Sequence, residues 1–102
     1  MSRIIDLRRD WTEAEDVEIA RLARVCNQKF ELECSHTDEG DPWCVVREGS
    51  TIILHFAKID RRYVIAFPQE GRCDNAGTMR AVIDRAVEAL HRAALSTARK
   101  SG

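Results

Sequence analysis

Four side chains in the middle of the sequence have the chemistry to bind a metal ion or to move protons. They are Cys34, His36, Cys44 and His55. Thiolates and imidazoles are the usual ligands of zinc, but a structural zinc site needs ligands in close pairs. The pair Cys34 and His36 is the only close one among these four. We therefore interpret the cysteines as small buried residues and His36 as a loop residue, and we predict no metal ion and no other cofactor.

Cysteine catalysis is the second chemistry to consider, because a thiolate beside a base is a nucleophile. The sequence predicts Cys44 and His55 on neighbouring strands, but at diagonal positions, where hydrogen-bond reach is marginal. The sequence also has no glycine-rich phosphate loop and no serine, histidine and aspartate in a catalytic order. We predict no catalytic residue, and the sequence favours a protein that is not an enzyme.

The order of an acidic helix followed by strands resembles the beginning of the restriction-endonuclease-like core. That resemblance implies a divalent metal ion that hydrolyses a phosphodiester bond, held by a helix acid, a strand acid and a Glu-x-Lys. Glu15 or Glu18 would be the helix acid, and Asp41 the strand acid. His55 stands where the glutamate belongs, and Ala57 replaces the lysine. These departures imply at most a degenerate, nucleic-acid-associated domain centred on Asp41 and His55.

A second resemblance covers about residues 37–67, a third of the chain. It is carried by Gly40-Asp41-Pro42-Trp43 and by the run His55-Phe56-Ala57-Lys58-Ile59-Asp60 with Tyr63 beyond it. Both look like a short domain of uncharacterised bacterial, chiefly proteobacterial, proteins, which implies a bacterial, cytoplasmic setting and no reaction. The resemblance marks positions to test, and Tyr63 joins them as an aromatic that could stack on a ligand. The predicted ligand-binding residues are Asp41, Trp43, His55, Asp60 and Tyr63.

Composition sets the class of protein. The chain has 102 residues, 44% hydrophobic and 32% charged, which is typical of one globular domain. Its 16 basic and 17 acidic residues leave a net charge of -1, which disfavours nucleic acid as a partner. No apolar run approaches the length of a membrane span, and the first residues lack the apolar core of a signal peptide. We therefore expect a cytoplasmic protein with reduced thiols, no membrane contact and a disordered tail at 98–102.

The hydrophobic pattern predicts an α+β fold, an antiparallel meander of three to four strands with one N-terminal and one C-terminal helix (α-β-β-β-β-α). Thr12 and Glu15 form a capping-box signature that starts a helix over residues 12–27. A strand over 30–35 alternates as an edge strand does, and a loop is predicted over 68–77. The last helix is predicted over about 76–97, capped by Asp74 or Asn75. The predicted buried stripes are Ala14, Val17, Ala20, Ala23 and Cys26, widened by Ile19 and Leu22, in the first helix, and Met79, Val82, Ile83, Ala86, Leu90 and Ala93 in the last.

Two predicted hairpins, with turns at Glu48-Gly49 and near Asp60-Arg61, give the meander two apolar faces. This register places Val45 opposite Ile52, and His55 opposite Ala66. The bulky face would carry Trp43, Val45, Ile52, Leu54, Phe56, Tyr63, Ile65 and Phe67; the small face would carry Cys44, Val46, Ile53, His55, Ala57, Val64 and Ala66. His55 is then a core histidine that needs a partner for its N–H, with Asp41, Glu15 or Glu18 as candidates.

The predicted sheet has two apolar faces, and only two terminal helices are present to cover them. No catalytic set of residues is complete. Our leading hypothesis is therefore a non-enzymatic interaction module that forms a homo-oligomer, most simply a dimer, or binds a protein partner. The alternatives are the degenerate nuclease-like domain described above and a domain that binds a small ligand between the sheet and the terminal helix.

Overall fold

The computed structural model describes the backbone of residues 10–101 and the side chains of residues 10–95. Its elements are α1 (Glu13–Cys26), β1 (Glu31–His36), β2 (Pro42–Glu48), β3 (Thr51–Ile59), β4 (Arg62–Phe67), β5 (Arg72–Ala76) and α2 (Met79–Ser101). The strands form one antiparallel sheet in the order β1-β2-β3-β4-β5. The predicted α+β fold with a helix at each end is confirmed.

Helix α1 begins with the predicted capping box. The Glu15 N–H donates to Thr12 Oγ1 at 3.2 Å, and the Thr12 N–H donates to Glu15 Oε1 at 2.8 Å. The buried residues of α1 are Glu15, Ile19, Leu22 and Cys26. The predicted stripe was centred on the wrong side of the helix, because Val17 is 65% exposed. The structure instead buries a carboxylate at position 15, for which the fold supplies charged and polar partners.

Helix α2 buries the stripe that the sequence predicted. Its buried residues are Met79, Val82, Ile83, Ala86, Ala89 and Leu90. The cap is Thr78 rather than Asp74 or Asn75, since the Ala81 N–H donates to Thr78 Oγ1 at 3.1 Å. The helix continues to Ser101 and so includes most of the 98–102 segment that composition predicted to be disordered. Gly102 lies outside the described residues.

The predicted loop over 68–77 contains a fifth strand. A 3₁₀ turn at Pro68–Glu70 leads to Gly71 at φ 62°, and β5 then pairs with β4. The sequence hides this strand because β5 forms an edge of the sheet and has few apolar residues to alternate. An edge strand needs only one hydrogen-bonded neighbour, so strong hydrophobic patterning is not required.

The β3–β4 hairpin has the predicted register, with Phe56 opposite Ile65 and His55 opposite Ala66. Its two-residue turn at Asp60 and Arg61 has φ values of 53° and 65°, as a type I′ turn requires.

The β2–β3 hairpin differs from the predicted one. Its turn residues are Gly49, at φ 63°, and Ser50, so that Glu48 pairs with Thr51. A β-bulge follows, because Arg47 pairs with Ile52 whereas Val46 pairs with Leu54, which leaves Ile53 as the extra residue. A bulge inserts one residue and so exchanges the two faces beyond it.

This exchange corrects the predicted faces of β2. Cys44 and Val46 lie on the face that carries Leu54, Phe56, Ile65 and Phe67, and all of these residues are buried. Trp43 and Val45 lie on the opposite face, not in the bulky core as predicted. Ile52 and Ile53 also lie on the faces opposite to those predicted, because Ile52 precedes the bulge and Ile53 is the bulged residue.

Both helices cover the same face of the sheet. The core joins the buried stripes of α1 and α2 to Cys44, Val46, Leu54, Phe56, Ile65 and Phe67. Helix α1 packs on α2 and β1, and α2 packs on β3, β4 and β5. No described element covers the other face, so of the two coverings that the sequence leaves open for the small face, a helix or another subunit, the helices supply none. Among the described helices, none is both long and apolar enough to span a membrane.

Candidate functional site

The uncovered surface of the sheet, here called the open face, is an apolar surface outside the core of the described residues. The strand registers place on it Trp43, Val45, Ile52, His55, Ala57, Ile59, Val64, Ala66 and Cys73. Ile52 and Ile59 on this face are 40% and 43% exposed. Large apolar side chains in water on a single face mark an interaction or ligand site more often than a neutral surface.

A groove of about 410 Å³ runs across the open face. It forms because small and large side chains stand directly opposite one another: Ala57 lies beside Trp43, and Ala66 lies beside His55. The lining is almost entirely apolar, and its polar side chains are few. The groove residues are Thr37, Trp43, His55, Phe56, Ala57, Ile59, Val64, Ala66 and Cys73. Its size and lining fall in the range of ligand and partner sites.

His55 occupies the centre of this face, on the middle strand of the five. Its cross-strand neighbours are Val45 on β2 and Ala66 on β4. It is exposed and makes no hydrogen bond or ion pair within the described residues. The predicted core histidine is therefore wrong, because both helices pack on the opposite face of β3. Of the proposed partners, Glu18 bonds Arg21, and Glu15 lies on the helix-covered side.

The other predicted ligand-binding residues do not join His55 as a group. Only Trp43 shares the groove with it. Asp41 is 6% exposed in the loop before β2, where its N–H donates to Thr37 Oγ1 at 3.1 Å. Asp60 is exposed at the tip of the β3–β4 hairpin, and Tyr63 points to the helices.

Tyr63 belongs to a second cluster, which joins α1 to the sheet. Glu15 Oε1 accepts a hydrogen bond from Lys58 Nζ at 2.7 Å, and Glu15 Oε2 accepts one from the Tyr63 hydroxyl. Lys58 Nζ lies 5.8 Å from the centre of the Trp11 ring, a cation–π distance. Each charge has a partner, so the cluster is a fully paired anchor rather than a reactive site.

The pKa values in this cluster follow from those contacts. Burial alone would raise the pKa of Glu15, but hydrogen bonds from Lys58, Tyr63 and the Thr12 N–H, with the Lys58 charge, hold it below its usual value. The hydrogen bond to Glu15, then burial and the Glu15 charge, raise the pKa of Tyr63 to about 12. The structure therefore keeps Glu15 ionised and Tyr63 neutral.

The nuclease-like layout is not assembled as a site. Glu15 lies on the helix-covered side of the sheet, and His55 lies on the open face. The zinc-type residues are also dispersed: Cys34 is bonded to Cys44, and His36 Nε2 lies 2.8 Å from Asp10 Oδ1. Across residues 10–95, no three His, Cys, Asp or Glu side chains gather at one point.

The cysteines correct one further expectation. Cys34 and Cys44 form a disulfide between β1 and β2, at directly opposed positions with Cα atoms 4.1 Å apart, instead of two reduced thiols. The other two remain thiols. Cys26 is buried, which raises the pKa of its thiol, and Cys73 is exposed at the groove.

Several groove residues were absent from the predicted site. Nothing in the sequence marked Thr37 or Cys73 as a binding residue, because both lie in segments that were predicted to be loops. A signal did exist for the rest of the groove, because small side chains on one face of two paired strands leave room for one. These small residues are Ala57, Val64 and Ala66, and Ile59 lies on the same face. Comparison of the chain with protein-family models, curated proteins and solved structures found no match. The resemblance of residues 37–67 to a short bacterial domain stays a prediction.

Proposed function

We propose that this protein is a non-enzymatic interaction module whose open face binds the open face of a second copy. The observation that carries the proposal is the placement of both helices on one side of the sheet. The other side exposes Ile52 and Ile59, and its half-buried Trp43 stands beside a floor of small side chains. Covering such a surface removes apolar area from water, which is the main driving force of association.

A second copy suits this surface because its centre carries no formal charge. The charged residues lie toward the edges: Arg47 pairs with Glu33 at 2.7 Å and with Glu31 at 3.6 Å, and Arg62 lies beside the β3–β4 turn. Two identical faces related by a two-fold axis would therefore meet without like charges opposed in the middle. Sheets that pack face to face in this way form the interior of a β-sandwich.

The size of the face predicts a weak dimer. Five strands spaced about 4.8 Å apart make a surface roughly 20 Å wide, and about six residues along each strand make it roughly 20 Å long. These dimensions give roughly 400 Å², about half of the roughly 800 Å² that a stable interface buries on each partner. We expect a dissociation constant in the micromolar range.

Sedimentation velocity between about 5 and 500 µM tests the proposal with two matched substitutions. Val64→Lys places a charge in the groove, and Val17→Lys places the same charge on α1, where valine is 65% exposed and outside the open face. We expect wild type and Val17→Lys to dimerise and Val64→Lys to stay monomeric, with all three folded by circular dichroism. A wild type that stays monomeric throughout, or equal dimerisation of the two variants, contradicts the proposal.

The groove itself favours a second candidate function, the binding of a small apolar molecule. Its volume of about 410 Å³ is within the range of ligand pockets, which is about 300–1,000 Å³. A thermal-shift screen of apolar compounds separates the two candidates, because a ligand of the native state raises the melting temperature. A monomeric protein stabilised by such a compound, with the effect lost in Val64→Lys, favours the ligand. No comparable observation favours the degenerate nuclease-like domain.

We propose a cytoplasmic location on the predictions from sequence, and the disulfide provides its sharpest test. Disulfides persist in oxidising compartments and are rare in the cytosol. Mass spectrometry of the protein alkylated in intact cells would count its free cysteines. Four alkylated thiols support the cytoplasmic location, whereas protected Cys34 and Cys44 support an oxidising compartment.

A further inference from the structure

We infer that His55 makes the self-association of the open face sensitive to pH, so that the dimer forms at neutral pH and dissociates as the solution becomes acidic. This inference rests on the proposed function and adds its regulation. It starts from the position of one titratable side chain at the centre of an otherwise apolar surface. His55 lies on the middle strand of the sheet, and its directly opposed neighbours are Val45 and Ala66.

Histidine is the side chain that ordinarily changes charge between pH 5 and pH 8. A neutral imidazole loses little when an apolar surface covers it, provided that its N–H finds an acceptor. An imidazolium ion loses much more, because a buried charge without a counter-ion is strongly disfavoured. A face that a second copy covers therefore accepts the neutral form of His55 and rejects the protonated form.

The surrounding charges give a protonated His55 no counter-ion. On the open face, β1 supplies Glu31 and Glu33, but both pair with Arg47 of β2. Strand β4 supplies the exposed Arg62, which is itself cationic, and β5 supplies the free thiol of Cys73. No described element packs over His55 from the open side, and His55 makes no ion pair with a carboxylate within residues 10–95.

The symmetry of the dimer makes the effect steep. Each protomer contributes one His55, and both must be neutral in the complex. Well below the range in which histidine titrates, the dissociation constant rises up to tenfold per pH unit for each excluded proton, hence up to about 100-fold per unit for two. We expect a rise of at least tenfold between pH 7.5 and pH 5.5.

Sedimentation velocity at pH 7.5 and pH 5.5 tests the inference with two histidine variants. His55→Asn keeps a neutral polar side chain that cannot gain a proton, and His91→Asn is the control, since His91 is exposed on α2 away from the open face. We expect wild type and His91→Asn to dissociate at pH 5.5, and His55→Asn to stay dimeric at both pH values. Thermal melts at each pH show that the protein is folded where it is monomeric.

The outcomes separate this inference from the function on which it rests. Equal dissociation constants of wild type at the two pH values overturn the role of His55 and leave the dimer standing. Dissociation of His55→Asn at pH 5.5 as strong as that of wild type overturns it as well. A wild type that is monomeric even at pH 7.5 overturns both proposals.

Discussion

Lys58 of β3 reaches Glu15 of α1 on the helix-covered side of the sheet, with Nζ 2.7 Å from Oε1. Their side chains are only 17% and 8% exposed, so this ion pair is largely removed from water. Tyr63 of β4 donates to the second oxygen of the same carboxylate. One acidic side chain thus joins the first turn of α1 to two neighbouring strands, and it fixes where the helix sits on the sheet.

Replacing Glu15 by glutamine should lower the free energy of unfolding by about 3 kcal/mol, because a poorly exposed Lys58 would lose its counter-ion. Glutamine retains the oxygen that accepts from the Thr12 N–H, so the loss reports the charge rather than the cap. Glu13→Gln is the control: Glu13 is an exposed acid of the same turn, and we expect a change of about 0.5 kcal/mol or less. Urea unfolding measures both. Equal losses in the two variants would contradict a special role for Glu15.

The raised pKa of Tyr63, about 12, predicts a loss of stability in alkali. A group with a folded pKa above its unfolded value near 10 stabilises the fold fully below pH 10, and this contribution disappears as the pH rises toward 12. We expect wild type to lose up to about 2 kcal/mol more than Tyr63→Phe between pH 9 and pH 12. Urea unfolding at a series of pH values measures the difference. Titration of other side chains is common to both proteins, so parallel losses would show that Tyr63 does not contribute.

The Cys34–Cys44 disulfide closes a loop with a sequence separation of 10, which on a chain-entropy basis is worth about 3 kcal/mol. A reductant should therefore lower the melting temperature of wild type and of Cys73→Ser, whose thiol is free. The double variant Cys34→Ser/Cys44→Ala should melt at the reduced temperature whether or not reductant is present. A free-thiol assay on the unfolded, non-reduced protein should find two thiols. A count of four, with no effect of reductant, would show that the bond does not form.

The sequence was sufficient to predict the elements whose signals are local. Thr12 and Glu15 predicted the start of α1, because a capping box involves residues three apart. The β3–β4 register followed from a two-residue turn at Asp60 and Arg61, with uniform alternation on both sides. The stripe of α2 was correct because its apolar residues repeat at helical spacing over several turns.

The errors in the candidate site have two physical sources. The Ile53 bulge leaves no trace in a run of apolar residues, and it decides which of Val45 and Val46 faces the helices. The face of the sheet on which each helix packs is also set by non-local contacts. The apolar stripes of the two helices are compatible with packing on the same face or on opposite faces. The packing of both helices on one face alone leaves His55 exposed, because the β3–β4 register and the face of β3 that carries His55 are as predicted.

The fluorescence of Trp43 offers a direct view of the open face. Trp43 is half-buried beside the groove, and Trp11 is the only other tryptophan. Trp11→Phe isolates Trp43 with a modest change in packing, because the ring of Trp11 lies 5.8 Å from that of Phe56 and its Nε1 has no hydrogen-bond partner within the described residues. We expect the emission of Trp11→Phe to shift to shorter wavelength as protein concentration rises, since a second copy excludes water from the indole. The emission of Trp43→Phe, which reports Trp11 under the helices, should not change with concentration. An unchanged Trp43 spectrum over a range in which sedimentation shows dimers would place the interface on another surface of the protein.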